Sequence, residues 1–373
     1  MASPLVISHY WSGDASDADI AIIELKFRLN ALGALPSHVT VVSAGEACVL
    51  LDPIVFEFYQ WLSDHCHVTF ISAACTSVHA GILDFYHSDL DATLVISIEL
   101  GKSFQQSCLN SLGIGNDNEQ KGLDVIPCVG FIALKRLVVG KKIAPHELVV
   151  EQCQLISQQP GMTGTQLLIR QLYQELKSLP AHVLPVSFNI CSLWAKSLFR
   201  GLDNLFAVNQ RSVNWLSSIE SCQRHYLSLK PLLELQLYRQ KLKQNSLLFF
   251  TLGGGGRVGM LQLGKNIKTP IKLPKASFEQ QSLLNDIKSY QLANSLIQAD
   301  KSAYYKQIRA TLKYPHSRYR GKDNHYFKWQ IPGNIEQAVI VQPSPEQSTP
   351  QKKTPKKTAS KLTIIKTITG ANA

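Results

Sequence analysis

A chain of 373 residues, 45% of them hydrophobic, has material for two or three structural units around a real core. The formal net charge of +11 is unevenly placed: residues 1–264 carry 19 Lys and Arg against 21 Asp and Glu, and residues 265–373 carry 19 against 6, so a near-neutral body precedes a basic extension. No leader pattern, no apolar run of membrane-spanning length, no CxxC pair and no Cys/His cluster at zinc spacing is present, which argues against a membrane span, a disulfide scaffold or a metal module and points to reduced thiols in a cytoplasm.

In chain order, Cys66 to Phe70 is a short apolar, β-branched run that predicts a strand. Ile71-Ser72-Ala73-Ala74-Cys75-Thr76-Ser77-Val78-His79-Ala80-Gly81 follows, and then Ile82, Leu83, Phe85 and Tyr86 at helical spacing. The reading is strand, tight turn and helix, with Cys75 at the turn. A thiol at a helix N-terminus meets unpaired N–H groups and the helix dipole, which favour a thiolate and activate a nucleophile. The plainer alternative is that Cys75, like the other seven cysteines, fills the core. Leu90–Glu99 predicts a second apolar strand ending in a carboxylate, and Gly122–Leu134 a buried strand bounded by glycines. Leu167, Leu168, Leu172 and Leu176 recur at helical intervals. Phe249–Leu261 predicts strand, glycine loop and strand around Gly253, Gly254, Gly255 and Gly256.

Within the extension, residues 276–313 predict a helix, with Leu283, Leu284, Ile287, Tyr290, Leu292, Leu296 and Ile297 on helical spacing. Tyr314–Lys322 mixes basic and aromatic residues. Beyond Gln342 the composition turns to Pro, Ser, Thr and Lys, which predicts a disordered tail. The divisions expected are thus 1–140, 141–264, 265–342 and 343–373.

The order of these motifs resembles the thiolase-like superfamily and, within it, the β-ketoacyl synthases. SAACTSVHAG resembles their nucleophile motif, a cysteine among small residues opening a buried helix. The strand ending at Glu99, the glycine-bounded strand and the late LGGGGRVG turn follow in the family's order. His225-Tyr226-Leu227-Ser228-Leu229-Lys230-Pro231-Leu232-Leu233-Glu234 resembles the family's late histidine segment at the His, both family leucines and the Glu, without its glycines. A surface histidine is the alternative there. The resemblance implies an α/β fold of two similar halves, over residues 19–140 and 162–264, with sheets sandwiching the Cys75 helix. It departs from the family in three places. The opening strand–helix unit is missing or reduced to Leu5–Ser8. The link from Gly140 to Gly161 is short. The stretch Leu184–Ser192, where the family carries another catalytic histidine, offers Asn189 or Cys191 instead.

For chemistry, the resemblance implies acyl transfer from an acyl carrier protein phosphopantetheine or a coenzyme A thioester onto Cys75, with no bound cofactor and no metal. His225 would be the base and Asn189 a polar neighbour. The N–H of Cys75 and one from Gly253–Gly256 would hold the oxyanion. Decarboxylative condensation normally uses two imidazoles, and losing one such donor costs about 2.7–4 kcal/mol. Acyl transfer without decarboxylation therefore fits better. Three readings stand: an acyltransferase of fatty-acid or polyketide type, a non-catalytic subunit paired with a complete ketosynthase, and a basic nucleic-acid-binding protein on a degenerate scaffold. The family implies a dimer, with itself or with such a ketosynthase. The basic extension would dock an acidic acyl carrier protein through Arg309, Arg318, Arg320 and Lys322. Its rival is nucleic-acid binding with Tyr304, Tyr305, Tyr314 and Tyr319 as stacking groups.

Overall fold

Alternation of apolar side chains along the strands builds this fold, because each strand feeds two different cores. The computed structural model describes residues 4–14, 17–44, 52–100, 124–138, 142–157, 164–188, 193–220, 224–253 and 257–265. Beyond them it describes the backbone of residues 318–320, 327–329, 339–343 and 362–367. The elements run β1 (Leu5–Asp14), α1 (Ala18–Asn30), β2 (His38–Val42), α2 (Pro53–Ser63), β3 (His67–Ser72), α3 (Ser77–His87), β4 (Ala92–Glu99), β5 (Asp124–Val125), β6 (Cys128–Arg136) and β7 (Leu148–Ser157). They continue α4 (Gly164–Lys177), β8 (Val183–Pro185), α5 (Leu193–Val208), β9 (Arg224–His225), α6 (Lys230–Tyr238), β10 (Ser246–Gly253) and β11 (Arg257–Gly264). The extension supplies β12 (Arg318–Arg320), β13 (Phe327–Trp329), β14 (Val339–Pro343) and β15 (Leu362–Thr367). Asp17 and Asp52 cap α1 and α2, each carboxylate accepting a backbone N–H at 3.1 Å.

Eleven strands form one sheet in the order β12-β13-β3-β2-β4-β6-β1-β7-β11-β10-β8. In β4, Leu94, Ile96 and Ile98 face α1 and α2, while Val95 faces α3. In β10, Leu247 and Phe249 face the α3 and α6 side, while Leu248 and Phe250 face α4 and α5. Three cores result, giving five layers: α1 and α2, one half of the sheet, α3 and α6, the other half, then α4 and α5. Helix α3 is buried along almost its whole length because strands of both halves cover it.

Several expectations are corrected. The two halves are not separate sheets, since Val6 pairs with Val149 and Ile7 with Leu148 across β1 and β7. The opening strand is not reduced to Leu5–Ser8. It runs ten residues, pairs with β6 from Leu5 to Asp14, and leads into α1. The link from Gly140 to Gly161 contains all of β7, which pairs with β11 along most of its length. Strand β15 falls within 343–373, where composition predicts a disordered tail, and pairs antiparallel with β14, which lies almost wholly before it; Leu362-Thr363-Ile364-Ile365-Lys366-Thr367 is rich in β-branched residues. The helix expected over 276–313 lies outside the described residues. Among the described residues no helix is long and apolar enough to cross a membrane, and no cluster could hold a metal ion.

Candidate active site

Strand β3 ends in a turn that its own hydroxyls hold. Thr76 N and Thr76 Oγ1 donate to the Ala73 carbonyl at 3.1 and 2.6 Å, and Ala73 N donates to Ser77 Oγ at 2.8 Å. Ala74, immediately before the cysteine, has φ of 50°, a left-handed conformation that costs a non-glycine residue about 1–3 kcal/mol. This turn brings Cys75 to the head of α3, 6% exposed and in one small apolar cluster with Val125 and Leu227, against which partly buried Ala44 packs.

The second half of the chain delivers the imidazole. The short parallel pair β5–β9 sets Val125 beside His225, and Ile126 N donates to the His225 carbonyl at 3.0 Å. His225 Nε2 then lies 3.2 Å from Cys75 Sγ. Its other ring nitrogen, Nδ1, lies 2.7 Å from Glu220 Oε1, and the Glu220 side chain is fully buried. Tyr226 N also donates to that oxygen, at 2.8 Å. Thiol, imidazole and carboxylate thus stand in line, with the carboxylate fixing which nitrogen of the ring faces the sulfur.

The electrostatics follow from this line. Burial pulls the His225 imidazole toward neutrality, but the Glu220 carboxylate and then Cys75 outweigh it and hold the ring well above its ordinary value. Burial pushes the Glu220 carboxyl up, and His225, Lys230 and the Tyr226 N–H together bring it below its usual value. The two directions agree, and both describe an ion pair. One turn further along α3, His79 is enclosed. Both its ring nitrogens lack a hydrogen-bond partner, and burial, with repulsion from Lys230, lowers it to about 3. It is a neutral core residue.

Gly253, at the end of β10, approaches the same turn. A Cβ on Gly253 would lie 3.1 Å from Thr76 Cγ2 and 3.5 Å from the Ala73 carbonyl, so its backbone passes close beside the residues that flank Cys75 in the turn. Gly254, Gly255, Gly256 and Asn189 lie outside the described residues, as do Arg309 and Lys322. Arg318 and Arg320 lie on β12, at the far edge of the sheet from β8. Of the residues the sequence singles out, the structure brings Cys75 and His225 together and sets Gly253 against the Cys75 turn; Glu220 is not among them. The signal was available, a carboxylate five residues before the histidine in Glu220-Ser221-Cys222-Gln223-Arg224-His225.

A cysteine-headed helix enclosed by two half-sheets, and met by a histidine from the second half, decides the architecture. It is the arrangement that the resemblance to the thiolase-like superfamily implies. No protein-family model matches the sequence, and no curated protein matches it. Among solved structures the chain is similar to cerulenin-bound OleA of Xanthomonas campestris, at 13% identity over 71% of this chain and 100% of that one, with a TM-score of 0.44. It is similar to 3-oxoacyl-(acyl carrier protein) synthase III, FabH, of Xanthomonas oryzae, at 12% identity over 71% and 100%, TM-score 0.44. It is also similar to the acyltransferase ChlB3, at 9% identity over 70% and 96%, TM-score 0.46. At these identities the overlaps carry no inference about substrate or reaction.

Proposed function

We propose that this thiolase-like chain is an acyltransferase that carries an acyl group as a thioester on Cys75. The observation that supports it is the Cys75–His225–Glu220 line, with Sγ to Nε2 at 3.2 Å and Nδ1 to Oε1 at 2.7 Å. The thiol proton passes to neutral His225, the imidazolium so formed being the one that Glu220 stabilises, and the sulfur attacks the carbonyl of an acyl thioester on a carrier-protein phosphopantetheine or coenzyme A. A carbon–sulfur bond to Cys75 forms, and the tetrahedral oxyanion collapses with loss of the donor thiol, which leaves with the proton from His225. The Cys75 N–H and the backbone following Gly253 are the donors we assign to the oxyanion. Among the described residues His225 is the imidazole that faces Cys75, and Glu220 holds it as a single acid–base group. That arrangement suits transfer better than decarboxylative condensation.

The basic extension, with Arg318 and Arg320 on β12, is the surface we assign to an acidic carrier protein. Self-pairing is our default for assembly, with a complete ketosynthase as the rival mate. The mass of protein expressed alone distinguishes the two, since a stable homodimer counts against an obligate mate. The test of the reaction is incubation of the full chain with mass-tagged acyl thioesters. Label should appear on the wild type and vanish in Cys75→Ala, and His225→Ala should slow turnover more than acylation. Label that survives Cys75→Ala, or never appears with any donor, sinks the proposal.

A further inference from the structure

We propose that Glu99 is a positioning residue that holds the Cys75 turn and the His225 turn in register. Glu99 closes β4 and is fully buried. Its Oε1 accepts from Ala44 N at 2.8 Å and from the Ser228 hydroxyl, and its Oε2 accepts from the Ser43 hydroxyl at 3.1 Å. These donors come from 56 residues upstream and 129 residues downstream, so one carboxylate ties two segments with no local connection.

Both segments form the wall of the site. Ala44 packs against the small apolar cluster of Cys75, Val125 and Leu227, and the Ser43 carbonyl lies 3.0 Å from the Ser77 hydroxyl that closes the turn before the cysteine. On the other side, Ser228 follows Leu227, which has φ of 50° and belongs to the same apolar cluster as Cys75. A non-glycine residue keeps that conformation only when its surroundings fix it. The Ser228–Glu99 bond fixes it, and Leu227 stands two residues from His225. Ser97 Oγ, 2.9 Å from Ser228 Oγ, braces the same hydroxyl from β4. Burying a carboxyl group is costly unless it is hydrogen-bonded, and here the donors come from the segment that abuts the Cys75 turn and from the turn that follows His225. Nothing in the Cys75–His225–Glu220 line requires a carboxylate at this point.

This assignment rests on the acyl-transfer reading, so its test reads Cys75 without an acyl donor. The rate at which iodoacetamide alkylates Cys75 is followed by peptide mass in the full chain near neutral pH. The set is wild type, Glu99→Leu, Glu99→Gln, Ser228→Ala and, as a floor, His225→Ala. Folding is checked by circular dichroism and thermal melting. Glu99→Leu strands its donors and should slow alkylation roughly tenfold. Glu99→Gln, which still accepts from Ala44 and Ser228, should recover to within about threefold, a rescue that packing alone does not predict. If Glu99→Leu does not fold, Ser228→Ala against Glu99→Gln carries the comparison, with the serine variant the slower. Wild-type rates in Glu99→Leu and Ser228→Ala, beside a slow His225→Ala, overturn the proposal. So does a His225→Ala that alkylates normally, for then there is no register to hold. If no thioester labels the wild type while alkylation depends on both His225 and Glu99, the acyl-transfer reading falls and the positioning role stands.

Discussion

Replacing Glu220 with glutamine removes the charge behind His225 and keeps the size of the side chain. At the 2.7 Å separation, two unit charges attract by about 6 kcal/mol at an effective dielectric of about 20. Burying both groups takes back most of that, and a hydrogen bond to a charged group nets about 1.5–3 kcal/mol. That energy favours the proton on His225 over the proton on Cys75. At about 1.36 kcal/mol per decade, E220Q should slow acylation of Cys75 by about 10- to 150-fold. The glutamine carbonyl can still accept from Tyr226 N, so the local turn is retained. Single-turnover acylation by a saturating thioester, read by intact-protein mass, measures the effect. Stability gives a second reading with a definite sign. His225 is raised from 6.5, so its contribution is complete below about pH 6.5 and is lost as pH rises through its folded value. Glu220 is lowered from 4.5, so its contribution is present above about pH 4.5 and is lost as pH falls through its folded value. The stability deficit of E220Q should therefore be greatest between about pH 4.5 and 6.5 and shrink on both sides. Wild-type acylation by E220Q, alongside a slow His225→Ala, would refute the reasoning.

Lys230 is wholly buried, 2.8 Å from Glu234 Oε2 and 2.7 Å from the Phe250 carbonyl. Lys230→Met should destabilise the chain by about 3–5 kcal/mol in urea titration by leaving Glu234 unpaired, and Lys230→Met with Glu234→Leu should recover most of the loss. At Gly130 a Cβ would lie 2.6 Å from the Trp11 carbonyl oxygen, and backbone cannot swing aside. Gly130→Ala should cost about 1–3 kcal/mol, seen as a lower melting temperature.

What the sequence made legible was local. The β-branched run before Ser72, the small residues around Cys75 and the helical leucines of α4 each determine an element by short-range rules, and each stands where expected. What it concealed was carried by distant pairings. Leu5–Asp14 reads as a fragment until its partner, 128–136, is known to lie beside it. The junction of β1 and β7 rests on two residue pairs that no periodicity reveals. Glu220 stands five residues before His225 in plain sight, but its role depends on a histidine placed by β5, a strand of two residues from the first half of the chain. Lys230 stood inside the histidine segment, but lysine is almost never fully buried unless paired, and its pairing with Glu234 needs the walls that exclude water.

Strand β13 has a bearing on how the extension can be dissected. It pairs Phe327 with Ser72, Lys328 with Ile71 and Trp329 with Phe70, so it is the outer neighbour of the strand that delivers Cys75. Ending the chain at Gly264 therefore removes more than positive charge. It strips the flank of β3 of its hydrogen-bonding partner and leaves an open edge, a surface that invites adventitious strand addition. A truncated protein that self-associates or loses reactivity would report on that bare edge as much as on electrostatics. Charge-neutral replacement of Arg318 and Arg320, which keeps the backbone ladder, isolates the electrostatic contribution.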